Sequence, residues 1–103
     1  MTLHITPQEL FLKLKDDAVI LIDVREKNEF DRGYIPKALL FPLSTFSPKD
    51  FMLIEKPIVF YCKSGARSAH ACEEVHNIDP KKEVYNLQGG ILAWIEAGFL
   101  IHD

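Results

Sequence analysis

The sequence is poor in cysteine, in long apolar runs and in charge of one sign, and each shortage excludes a class of protein. Two cysteines in 103 residues are too few for the disulfide framework of a small secreted domain. Cys62 and Cys72 also lack the clustered Cys/His spacing of a zinc site. His4, His70, His76 and His102 show neither metal spacing nor a matched carboxylate, so they read as surface or packing residues, and no metal is expected. The longest apolar runs, AVILI and IVFYC, fall far short of a membrane span. The opening MTLHITPQEL has no basic n-region and no apolar h-region, so a secretory signal is not expected. A reducing cytoplasm is then the default, with both cysteines as free thiols. Twelve Lys and Arg stand against 15 Asp and Glu, for a formal net charge of -3. That balance points to neither a nucleic-acid partner nor a disordered acidic tail. There is no repeat, low-complexity tract or linker, so residues 1–103 read as one domain.

What is present supports a compact core: 48% hydrophobic residues, including seven Phe, three Tyr and one Trp. Thr6-Pro7-Gln8-Glu9 predicts a helix start, with Thr6 as cap, Pro7 at the first helical position and Glu9 closing a capping box. Leu10, Phe11 and Leu14 follow as an apolar stripe. AVILID (18–23), ALLFPL (38–43, stopped by Pro42), PIVFYC (57–62) and EVYNL (83–87) read as strands, with a short edge strand at 3–5. Residues 26–33 predict a short helix ended by Gly33, and 47–54 a helical turn or two. Helices are also predicted at 67–77 and at 89–98, the last closed by Gly98. Strands alternating with helices, several of them apolar on both faces, predict an α/β fold with a mostly parallel sheet covered by helices on both sides.

The stretch IVFYCKSGARSAHACEEV (58–75) carries the chemistry. Cys62 ends a strand and Arg67 opens a helix, so the loop between them must turn tightly, and Gly65 and Ala66 leave room for it. In open α/β sheets ligands gather beyond the carboxyl ends of strands. Backbone N–H groups in such a loop can form an anion-binding nest. The helix N-terminus and the cations of Lys63 and Arg67 add positive potential. This setting favours a thiolate, which is a nucleophile, whereas an isolated Cys at a strand end is more often a small buried hydrophobe.

The neighbours are weighed in the same way. Arg67 reads as an oxyanion and thiolate partner, because Arg sits poorly at a helix N-terminus. Lys63 reads equally as a steering cation or a solvated side chain. Ser64 and Ser68 are candidate donors to sulfur, with Ser68 reading equally as a helix-start residue. Asp23 is expected to cap the short helix, and Arg25 and Glu29, four apart, to pair on it. Cys72, with Ser68, Ala71 and Val75, falls on an inward helix face and reads as structural. Trp94 joins Ile91 and Ile95 in a core stripe. Phe46, Phe51 and Met52 are assigned to packing rather than to a pocket mouth.

Three motifs then give the chain a family resemblance. DVREKNEFDRGYIPKA (23–38), CKSGARS (62–68) and LQGGILAW (87–94) are similar, in order, to the Asp-Val-Arg-Glu…Gly-His-Ile-Pro-Gly-Ala pattern, the active-site loop and the Gly-Gly-x-x-x-Trp segment of single-domain rhodanese-like sulfurtransferases. Tyr34 stands where His is usual and Lys37 where Gly is usual, which puts the local turn in question. The resemblance implies a three-layer fold with about five central strands. It also implies transfer of sulfur through a Cys62 persulfide, from a small anionic donor such as thiosulfate to cyanide or a thiol. The loop Lys63, Ser64, Gly65, Ala66, Arg67 and Ser68 would hold substrate and persulfide, with no cofactor.

Two rival readings differ in class. A phosphatase or arsenate reductase on this fold would have a Cys-to-Arg loop one residue longer, and an Asp just after it as general acid; both are missing here. A persulfide carrier served by a protein donor or acceptor, or a regulatory binding module, remains as the alternative. Neither nucleic acid nor membrane is an expected partner, and nothing in the sequence fixes an oligomeric state.

Overall fold

A computed structural model of the chain describes residues 2–103. Five strands, β1 (Leu3–Ile5), β2 (Ile20–Asp23), β3 (Leu39–Leu40), β4 (Ile58–Tyr61) and β5 (Val84–Leu87), form one sheet in the order β1-β5-β4-β2-β3. Every neighbouring pair is parallel. The helices are α1 (Pro7–Lys15), α2 (Lys27–Phe30), α3 (Ala66–Ile78) and α4 (Gly90–Glu96), with 3-10 turns at Leu43–Thr45 and Pro48–Phe51. Among the described residues, no helix is long and apolar enough to cross a membrane.

Alternation along β4 explains why its sequence is apolar throughout. Val59 and Tyr61 face α1 and α4, packing with Leu10, Leu14, Ile91 and Trp94. Ile58, Phe60 and Cys62 face α3, packing with Ala71, Cys72 and Val75. A strand covered on both sides has no polar face to show. The expected inward face of α3 is therefore observed: Ser68, Ala71, Cys72 and Val75 are all buried.

The capping box of α1 forms as its residues dictate, with Glu9 N–H donating to Thr6 Oγ1 (3.1 Å) and Thr6 N–H to Glu9 Oε1 (2.9 Å). Phe11 departs from the predicted stripe. It lies at the edge of the buried face and stacks on Phe99, with ring centroids 4.6 Å apart. Ile95 likewise leaves the core stripe and is exposed, while Trp94 and Ile91 are buried. The strand predicted at 38–43 shrinks to Leu39–Leu40, because β3 is an edge with β2 as its one partner and Pro42 has no N–H to give. Its pairing still continues irregularly, through Phe41 N–H to Asp23 O and Leu43 N–H to Val24 O. Phe51 is buried and meets Phe60 edge-on at 5.3 Å, which assigns the 47–54 segment to core cover.

Two expected pairings are corrected. Asp23 does not cap α2. Glu26 is the N-cap residue there, in a capping box with Glu29. Asp23 is buried at the end of β2 and takes the Arg25 guanidinium instead, with Nη2 to Oδ2 at 2.7 Å and Nε to Oδ1 at 3.0 Å. Arg25 therefore does not pair with Glu29. Its position just before the helix turns it back under the 23–33 segment, where Nη2 also donates to Gly33 O at 2.7 Å.

Tyr34 and Lys37 receive local explanations. Tyr34 stacks on Phe30 at 4.1 Å and exchanges backbone hydrogen bonds with His102, both 2.8 Å. Lys37 adopts φ +76°, the left-handed region that favours glycine. Its Nζ donates to Leu14 O at 2.8 Å, near the C-terminal end of α1, which offsets part of that strain.

Candidate active site

In a parallel sheet all strands end on one edge, and β4 is the middle strand. The segments after β2, β4 and β5 therefore converge there. Cys62 follows β4 directly and is 2% exposed. The loop 62–65 turns into α3 through Gly65, whose φ of +116° suits glycine, and this places Gly65 N–H 3.1 Å from Cys62 Sγ. The Ser68 hydroxyl, one turn into α3 and fully buried, lies 3.3 Å from the same sulfur.

The backbone is held with its N–H groups facing inward because its carbonyls are bound elsewhere. Ile91 N–H donates to Cys62 O (2.9 Å) and Leu92 N–H to Lys63 O (3.2 Å), so the first turn of α4 grips the loop from behind. That approach explains the glycine pair of the third motif. A Cβ on Gly90, at φ +63°, would stand 2.6 Å from Cys62 O, and one on Gly89, at φ +77°, would stand 2.6 Å from Ala93 Cβ. Neither carbon fits.

These donors set the state of the thiol. Burial alone would push Cys62 up. Hydrogen bonds from the Ser68 hydroxyl and from the backbone N–H groups of Ser68, Gly65 and Ser64 outweigh it, so the thiol titrates below its ordinary value. At Cys72 the residue's own backbone N–H does not offset burial, which pushes the thiol up to about 12. Two thiols ten positions apart are thus driven in opposite directions.

The structure divides the predicted residues. Cys62, Gly65 and Ser68 come together at the sulfur. Ser64 contributes its N–H group, and Ala66 is the first residue of α3. Lys63 is exposed and faces a cleft of about 230 Å³ together with Arg32, Leu92 and Ile95. Arg67 differs most from expectation. Its guanidinium grips the Glu29 carboxylate with two bonds, Nη1 to Oε1 at 2.7 Å and Nη2 to Oε2 at 3.0 Å. This pair ties α2 to α3, and the hydrogen bond from Arg67 holds Glu29 down at about 2. A larger apolar cavity, about 490 Å³ between Phe11, Trp94, Phe99 and Leu100, is lined by none of the loop residues and has no part in this chemistry.

Asn86 was missed by sequence reasoning. It is 4% exposed on β5, pairs in register with Phe60 of β4, and donates from Nδ2 to Gly65 O at 3.0 Å. The available signal was a polar residue in an otherwise apolar buried strand, where it must have partners.

Comparison with known proteins agrees with this fold. The rhodanese-like domain family matches residues 6–97. A protein named sulfurtransferase from Allochromatium vinosum is 36% identical over 108 residues, covering 98% of this chain and 95% of that one. An uncharacterized protein of Synechocystis is 39% identical over 91% of this chain, which spans 52% of that longer relative. The crystal structure of a rhodanese-related protein from Thermoplasma volcanium superposes with a TM-score of 0.85 at 28% identity, covering 97% of both chains. With the family match spanning residues 6–97 and the fold in agreement, the chain belongs to the rhodanese-like domain family.

Proposed function

We propose that the chain is a sulfurtransferase that moves sulfane sulfur, as a Cys62 persulfide, from an anionic donor such as thiosulfate to cyanide or a thiol. The Cys62 thiolate attacks the outer sulfur of thiosulfate. A Cys62 S–S bond forms, the donor's S–S bond breaks, and sulfite leaves with the bonding pair. The acceptor anion then attacks the terminal sulfur, the Cys62 S–S bond breaks, and the thiolate is regenerated. Both half-reactions start and end with one negative charge on the enzyme's sulfur. A single fixed set of N–H and O–H donors therefore serves thiolate and persulfide alike.

The observation that carries this reading is the pair of donors, Gly65 N–H and Ser68 O–H, on a buried sulfur at the start of α3. The Cys62-to-Arg67 loop, with four residues between the two, supports sulfur over phosphate chemistry. The Arg67 guanidinium itself is held against Glu29. The test is to incubate the protein with thiosulfate, weigh the intact chain, and then add cyanide. One added sulfur atom, lost on cyanide with release of thiocyanate, is the expected result. A chain that never gains sulfur overturns the proposal. Sulfur gained from a protein persulfide without steady-state turnover of thiosulfate would replace it with the carrier reading.

A further inference from the structure

Ser68 has one hydroxyl proton and three acceptors within reach of it: Asn86 Oδ1, Cys62 Sγ and, at 3.3 Å, Gly65 O. Its Oγ lies 2.5 Å from Asn86 Oδ1 and 3.3 Å from Cys62 Sγ, and it is fully buried, so no bulk water relieves the competition. The orientation of the Asn86 amide follows from its other partner. Gly65 O can only accept, so the amide NH₂ must face it, and Oδ1 is left facing Ser68. A carbonyl oxygen cannot donate, so the short Ser68–Asn86 contact consumes the serine proton. Gly65 O is independently held by Ala69 N–H at 3.1 Å, so the loop does not depend on Asn86 alone.

We propose that Asn86 is a positioning residue for the sulfur chemistry, one that sets how much of the Ser68 hydrogen bond reaches the Cys62 sulfur. With the thiol protonated, S–H points at the Ser68 oxygen and Ser68 O–H at Asn86. When the sulfur carries charge, as thiolate or persulfide, the same hydroxyl turns toward it and Asn86 Oδ1 gives up its donor. Asn86 thus holds the resting thiol back while keeping Ser68 one rotation away from the charged form. This rests on the proposed role of Cys62.

The sign of one substitution separates this role from a merely structural one. Asn86→Leu keeps the volume and removes the nearest competing acceptor, so a larger share of the Ser68 proton turns to sulfur, with Gly65 O at 3.3 Å as its remaining rival. The midpoint of Cys62 alkylation against pH should fall. If Asn86 served only to brace the loop, the midpoint would rise as the N–H donors loosened. The charged groups around the loop (Lys63, Arg25 with Asp23, Arg67 with Glu29, and Arg32) stay unchanged throughout. In a Ser68→Ala background, Asn86→Leu should leave the midpoint where Ser68→Ala has put it. A rise, no change, or an equal shift in both backgrounds overturns the inference. Asn86→Asp covers the case in which the leucine variant does not fold. Its carboxylate should hold the serine proton more firmly and raise the midpoint, by more with Ser68 present than absent; an equal rise in both backgrounds overturns the inference. Alkylation needs no sulfur donor, so these results stand apart from the persulfide measurement on which the proposed function depends.

Discussion

The two cysteines show how far a residue type falls short of a function. Both thiols are buried, yet one has a set of hydrogen-bond donors aimed at its sulfur and at the other burial dominates. Cys62→Ser should abolish thiosulfate–cyanide transfer, by at least about 10³-fold, while circular dichroism shows the fold intact. Cys72→Ser should keep most of the turnover. Equal losses would mean that the working thiol has been misassigned. Cys62 and its loop were legible in the sequence because strand end, glycine and helix start lie within a few positions. The source of the activation was legible in part. The loop N–H groups and Ser68 are the donors expected, but Lys63 and Arg67 were expected to share the effect, and Lys63 is exposed while Arg67 is paired with Glu29, 38 positions away. What holds the loop from behind lies on the other side of it in sequence, at Gly90. Gly90→Ala adds a carbon with no space and places alanine at φ +63°, where strain alone costs about 1–2 kcal/mol. With the loop displaced, the Cys62 alkylation midpoint should climb toward the free-thiol value of about 8.5, and transfer should drop by more than about tenfold. An unchanged midpoint would show that the grip of α4 on the loop is irrelevant.

Among the elements, the ones that follow local rules were legible. The capping box of α1, the doubly apolar β4 and the inward face of α3 each follow from a spacing of a few residues. The 23–40 segment was read less well, because its order comes from contacts the spacing does not contain. Asp23 and Arg25 are neighbours that bind each other, not a cap and a helix pair, and β3 is cut short by its place at the sheet edge. Lys37 lies in this segment and gives it a test. Lys37→Gly relieves the left-handed strain but loses the bond to Leu14 O. It also adds unfolded-state entropy, so its net effect on stability should be small. Lys37→Ala keeps the strain and loses the same bond. The glycine variant should therefore be the more stable of the two by about 1 kcal/mol in urea denaturation. The reverse order would show that the backbone at this turn is not strained.

At the scale of the whole molecule, the site depends on three chain segments meeting at one edge of the sheet, and two ion pairs hold the 23–33 segment there. Asp23 with Arg25 is buried and works from inside. Glu29 with Arg67 works from the rim, with side chains 25% and 37% exposed. An exposed pair of this kind is worth less than about 1 kcal/mol after solvent screening. Its pH dependence still has a definite sign. The hydrogen bond from Arg67 holds Glu29 at about 2 in the folded chain, below its ordinary 4.5. The unfolded chain therefore binds this proton first on acidification, and ionised Glu29 favours the fold at every pH above that range. The contribution is fully present above about pH 5 and disappears as the pH falls from 4.5 through about 2. Glu29→Gln should accordingly be slightly less stable than the parent near pH 7. The two stabilities should converge as the solution is acidified across that window, read as urea midpoints at a series of pH values. The same substitution releases the Arg67 guanidinium beside the cysteine loop. At neutral pH its kcat/KM for thiosulfate should rise by a few-fold, while a neutral donor shows no gain. A stability gap that stays constant down to pH 2 would show that Glu29 titrates normally, and that the rim pair does not join α2 to α3.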